Sequence, residues 1–146
     1  MLEKDERFEA VVRAYTSYLR LLMDHDEFEE GEKIARNLIA YCRGCVNSDP
    51  ELEGEAFLAG GRVLLLCSKP AEAIGLLAEA QGLFENVDEG SVLQCRFYTS
   101  RCLAALGHTE KASAMLKNVH NMLLKRHEGN RKLLTLVEQA EAEETK

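Results

Sequence analysis

The sequence predicts an all-α protein, and three observations carry that prediction. Leu, Ala, Glu and Lys abound, while 146 residues hold only 2 Pro and few runs of β-branched residues. Apolar residues recur at intervals of three and four, as in Phe8, Val11, Val12, Tyr15, Tyr18, Leu19 and Leu22. Three stretches, beginning at Tyr15, Phe57 and Arg96, align as helical run, short polar break and second helical run. In that register Arg20, Arg62 and Arg101 coincide, as do Gly31, Ala73 and Ala112, at offsets of 42 and 39 residues. With 46% hydrophobic and 29% charged residues, the composition is that of a globular chain long enough to bury a core.

The elements follow in order. The first helix stops at Asp24-His25-Asp26, where either aspartate is expected to cap the next helix. The second carries Ile34, Leu38, Tyr41, Cys42 and Cys45 on one face and ends at Asn47-Ser48-Asp49-Pro50-Glu51. There Ser48 and Glu51 make the pair expected of a capping box. Ser68-Lys69-Pro70 divides the third helix from the fourth. Ser68 is the expected N-cap, and Pro70 fits a first turn, where its missing N–H costs nothing. Leu76, Leu77, Ala80, Leu83 and Phe84 form the apolar face of the fourth helix. After Asp88-Glu89-Gly90-Ser91, a second capping pair, Ser91 and Gln94, opens the fifth. Gly107 supplies a left-handed C-cap and Thr109 starts the sixth. A seventh helix is predicted after Gly129-Asn130, with Leu133, Leu134, Leu136 and Val137 as its apolar face and an acidic tail beyond. No linker is long, so residues 1–146 read as one domain, with units at about 12–47, 50–87 and 91–127 and a cap at 129–144.

Charge and cysteine usage narrow the function. Against 18 Lys+Arg stand 25 Asp+Glu, and a net charge of −7 argues against a non-specific phosphate binder. The start, MLEKDERFEAVV, is acidic where a signal peptide needs basic and then apolar residues. The longest apolar run, Val63 to Cys67, falls far short of the ~20 residues that span a bilayer, so no membrane role is expected. Five Cys at no disulfide-framework spacing point to reduced thiols and a cytoplasmic or nuclear setting. Cys42-x-x-Cys45 lies on an apolar helix face, without a βαβ pattern or a second ligand pair, and is expected in the core with Cys67, Cys95 and Cys102. His25, His108, His120 and His127 have no Ser or Cys nucleophile in a recognisable motif. Gly60-Gly61 sits within a helical pattern, where close packing explains it better than a phosphate loop. Neither a catalytic constellation nor a cofactor or metal is expected. Lys117, Lys125, Arg126, Arg131 and Lys132 form a local basic bias, but without the aromatics that nucleic-acid binding favours.

LGHTEKASAML (106–116) and SKPAEAIGLLAEA (68–80) resemble the turn and second helix of the tetratricopeptide repeat superfamily, with Ala73 small, Leu77 large and Ala80 small. Gly61 occupies the first-helix slot where that family keeps a small residue. The period of 39 to 42 residues exceeds the usual value of about 34 and is similar to longer relatives of the kinesin light chain type. Gly31 and Leu19 depart from the family pattern. The resemblance covers about residues 12–125. It implies a right-handed stack of three antiparallel helix pairs with a C-terminal capping helix, no enzymatic activity, and a concave groove that binds a segment of another protein. In the family register Arg20, Arg62 and Arg101 face that groove, joined by Arg13, Thr16, Ser17, Met23, Leu58, Phe97 and Tyr98. Guanidinium binds carboxylate bidentately, so the implied partner is a peptide or helix with acidic residues. Three alternatives stand beside this. The arginines pair internally with acids such as Glu55 or Asp24; the chain is a subunit of a larger assembly docking through the ends of its stack; or it is an RNA-associated adaptor. The family's Asn and Lys carboxylate clamp is not matched, so chaperone-tail recognition is not expected.

Overall fold

In the computed structural model, which describes residues 4–45, 49–125 and 131–144, the chain is helical throughout. The helices are α1 (Lys4–Asp24), α2 (Phe28–Gly44), α3 (Pro50–Leu66), α4 (Pro70–Phe84), α5 (Glu89–Ala105), α6 (Thr109–Lys125) and α7 (Arg131–Glu144). No strand occurs among the described residues.

Each helix packs on the next, and α3 also touches α1 and α5. Contacts run in opposite order along neighbours. Between α1 and α2, Phe8 stacks on Tyr41 at 6.0 Å while Met23 lies against Gly31. Between α2 and α3, Ile39 meets Gly60 and Arg43 lies 5.1 Å over the Phe57 ring. Alternate helices therefore run the same way. The ion pairs Arg36–Glu72 and Arg43–Glu79, each at 3.0 Å and two turns apart on both α2 and α4, follow that direction.

Two apolar clusters hold the helices. The larger runs through α1 to α5, with Val12, Leu19, Leu38, Phe57, Leu64, Leu77 and Phe84 at its centre. The smaller joins Leu93 and Phe97 of α5 to Leu116, Val119 and Leu123 of α6 and Leu133, Val137 and Ala140 of α7. The spacing of 133, 137 and 140 sets the buried stripe of α7, which leaves the predicted Leu136 exposed.

The three polar breaks are one turn repeated. Asp26, Ser68 and Gly107 take the left-handed conformation, with φ of 57°, 63° and 90°. The next N–H, of Glu27, Lys69 or His108, donates to the carbonyl of Leu22, Leu64 or Leu103 at 2.8, 2.9 and 2.9 Å. Their own N–H groups donate to Met23, Leu65 and Ala104 at 3.1 Å each. This is the Schellman pattern of a helix C-terminus. Glu27, Lys69 and His108 then accept the first helical bond of the next helix from the buried Gly31, Ala73 and Ala112. Gly107 does what its lack of a side chain predicts. Neither Asp24, Asp26 nor Ser68 caps a following helix. The left-handed residue finishes one helix, and the N-cap position falls to Glu27 or Lys69, which makes no side-chain cap bond.

The turns into α3 and α5 are capped by aspartates. Asp49 accepts from the N–H of Glu51 at 2.9 Å and of Leu52 at 3.3 Å, while the expected cap Ser48 lies outside the described residues. Asp88 accepts from Ser91 N at 3.1 Å and from its hydroxyl at 2.7 Å, displacing the expected Ser91–Gln94 pair. A full negative charge at a helix N-terminus outcompetes a hydroxyl for the same donors.

Neighbours on both sides approach α3 closely at Gly60-Gly61. A Cβ on Gly61 would lie 2.8 Å from Leu77 Cγ, and one on Gly60 would lie 2.9 Å from Ile39 Cδ1. Gly61→Ala is expected to lower stability by about 1–3 kcal/mol in urea unfolding, because the packed Leu77 must move. Gly75→Ala, where a Cβ meets nothing within 4 Å, is expected to raise it by roughly 0.5–1 kcal/mol. Equal shifts in both variants would refute the close-packing account.

Candidate functional site

The predicted arginine row divides into two kinds of residue. Arg13 Nη1 on α1 approaches Glu55 Oε2 on α3 at 4.0 Å, and Arg13 Nε contacts Glu9 at 2.9 Å. These carboxylates, Glu9 first, raise the pKa of the Arg13 guanidinium. Burial pushes the Glu55 carboxyl above its ordinary value, and Arg13 offsets part of that rise. The Arg13–Glu55 contact also marks the register of the two parallel helices. Two turns further along each, Arg20 and Arg62 stand level with one another.

Both are exposed, and neither makes an ion pair among the described residues. The Arg62 guanidinium lies 4.8 Å over the ring of Tyr98 on α5. Tyr98, half-buried, is in turn packed edge-on to Phe97 at 4.9 Å. A guanidinium stacked on a ring keeps its N–H edge available to a carboxylate. Arg20, Arg62 and Tyr98 thus form a cationic ledge across α1, α3 and α5, with the exposed Leu66 one turn beyond Arg62.

Arg101 is different. Its Nη2 donates to Glu144 Oε1 at 2.7 Å, and the two side chains are only 20% and 23% exposed. The other Glu144 oxygen accepts from Ser113 Oγ at 2.7 Å. Arg101 Nε is buried without a hydrogen-bond partner. The last turn of α7 therefore holds the third arginine, and the pairing acid is neither Glu55 nor Asp24.

The remaining predicted residues separate by layer. Ser17 is exposed, and the half-buried Thr16 donates from Oγ1 to the Arg13 carbonyl at 3.1 Å. Met23 is turned to α2, its methyl end filling the space beside Gly31. Leu58 is buried because α3 touches its neighbours on both sides, and Phe97 is buried in the cluster that α7 covers. Met23, Leu58 and Phe97 belong to the packing of the helices, whereas Arg13, Thr16, Ser17, Arg20, Arg62 and Tyr98 border the ledge.

Sequence reasoning missed Glu144, Ser113 and the Glu141–His120 contact at 2.6 Å. A signal was present: 133, 137, 140 and 144 continue one helical stripe, which places Glu144 on the buried side of α7.

The cysteines are free. Burial pushes the thiols of Cys42 and Cys95 up to about 12 and that of Cys102 to about 11. Cys45 and Cys67 are half-buried. Among the described residues, no group of three His, Cys, Asp or Glu is placed to hold a metal ion, and no helix is long and apolar enough to cross a membrane. No protein-family model matches the chain, and no curated protein or solved structure matches it either.

The raised thiols have a measurable consequence. Near pH 8, alkylation read by peptide mass spectrometry should modify Cys45 and Cys67 well before Cys42, Cys95 and Cys102. The folded state keeps three protons that the unfolded chain releases near 9, so stability is complete below about pH 9 and falls as pH rises towards about 12. Uniform labelling, or a flat alkaline stability profile, would contradict this burial.

Proposed function

We propose that the protein is a non-catalytic interaction module of the tetratricopeptide type, which holds an acidic segment of a partner protein against α1, α3 and α5. One observation carries the reading. Two exposed guanidiniums, Arg20 and Arg62, stand level on adjacent parallel helices, and an aromatic ring backs one of them, in a chain of net charge −7. A carboxylate-bearing segment meets donors there and acids over much of the remaining surface.

The repeat assignment rests on the thrice-repeated turn at 26, 68 and 107, whose spacing is that of Arg20, Arg62 and Arg101. On this reading α1–α2, α3–α4 and α5–α6 are three antiparallel pairs in a right-handed stack forming one domain, and α7 is the cap. Free thiols suit a cytoplasmic or nuclear setting. Burial of the partner's apolar side chains beside Leu66 and Tyr98 would drive binding, while the arginines set register and association rate.

The test is a panel of fluorescein-labelled acidic peptides against the wild-type chain, Arg20→Glu and Arg62→Glu. Each charge reversal is expected to weaken capture at least about tenfold, as loss of one charge-assisted pair implies, with the helical CD spectrum unchanged. Capture should also weaken as salt rises. Affinity unaltered by either reversal would refute the ledge as the binding site.

A further inference from the structure

The face beneath α7 has a chemistry of its own. α7 packs mainly on α6, and its apolar contacts belong to the smaller cluster, separate from the core around α3. Leu133, Val137 and Ala140 are the buried residues among those contacts, with the partly buried Leu134 beside them, a short stripe for a helix of 14 residues. Polar contacts finish the docking: Glu141 at His120 on α6, and Glu144 between Ser113 on α6 and Arg101 on α5.

The Arg101 contact is incomplete. Its guanidinium offers Nε and Nη2 along one edge, the arrangement that takes both oxygens of one carboxylate. Glu144 engages Nη2 alone, since Ser113 takes its second oxygen, and Nε remains buried without a partner. A buried donor left unmade carries a penalty on the order of tenfold in an equilibrium. A carboxylate presented side-on to Nε and Nη2 would remove that penalty, which α7 as placed does not.

We propose that α7 is a displaceable, intramolecular occupant of a helix-binding face formed by α5 and α6. The occupant in trans is an amphipathic helix of a partner, with apolar residues at the spacing of Leu133, Val137 and Ala140 and a carboxylate for Arg101. This surface differs from the Arg20–Arg62 ledge and does not depend on it.

The experiment uses the full chain and a labelled peptide with the sequence of residues 131–144, followed by fluorescence anisotropy. Glu144→Gln in the chain weakens the internal contact and is expected to tighten peptide binding about tenfold over the wild type. A peptide carrying Gln in place of its own Glu144 should lose that gain. Hydrogen exchange should quicken across α7 in the Glu144→Gln chain and stay slow in α3 and α4, which also shows that the variant is folded. Absence of binding to the folded Glu144→Gln chain, or equal binding to both chains, would overturn the proposal. A dimer exchanging α7 between copies, seen by sedimentation without peptide capture, would overturn it too, since the occupant would then be a second copy.

Discussion

The arrangement depends on how closely α3 can be approached. It buries nine of its 17 residues and is touched by α1, α2, α4 and α5, which leaves a stripe through Glu51, Arg62 and Leu66 facing water. A helix apolar nearly all round must be enclosed, and the depth of enclosure is set where its surface is lowest. Gly60 and Gly61 make that low point, seating Ile39 from one neighbour and Leu77 from another at adjacent positions. α2 and α4 are thereby held at a fixed distance from α3. The α1–α3 register, and with it the level placement of Arg20 and Arg62, follows from that enclosure.

Charge on the opposite side is secondary to this packing. α2 and α4 bound an open groove of about 460 Å³, floored by Ile39, Ala40, Leu64 and Leu76 and crossed by Arg36–Glu72 and Arg43–Glu79. Exposed pairs of this kind contribute about 0–1 kcal/mol each, too little to set the helix spacing. Lys69, and after it Arg36, hold the Glu32 carboxyl below its ordinary value, and Arg36 does the same for Glu72. These charges are spent on one another. On the α1–α3 side, Arg20 and Arg62 make no ion pair among the described residues.

The sequence disclosed the repeat more readily than the chemistry of its turns. Offsets of 42 and 39 residues survive in the structure, since equivalent helices must present equivalent faces to the core. Gly107 was legible because glycine is the usual left-handed residue. Asp26 and Ser68 were not, because their side chains read as N-caps while their backbones close the preceding helix. The deciding bonds, such as Lys69 N–H to the Leu64 carbonyl, involve main chain alone and leave no mark on residue type. The site shows the same division. An arginine row is visible as a period, but whether each arginine is free depends on neighbours far along the chain. Glu144 lies 43 residues beyond the arginine it binds. Leu58 and Phe97 likewise carry no sign of burial until α3 is enclosed and α7 laid down.

The outcome is a row paired at both ends and open in the middle. Arg13 has Glu9 and Glu55, Arg101 has Glu144, and Arg20 and Arg62 have no acid among the described residues. In an acidic protein this arrangement narrows what can bind. At about 0.1 M salt, charges are screened beyond about 10 Å, so a ligand in contact feels the two cations and little of the net −7. At longer range the excess acid repels an anionic chain and favours no approach. A segment whose acids are few and suitably spaced therefore gains at the ledge what a long polyanion loses elsewhere on the surface. On the function proposed above, nucleic acid, with a phosphate at every step, is of the second kind, and a short acidic stretch within a partner protein is of the first.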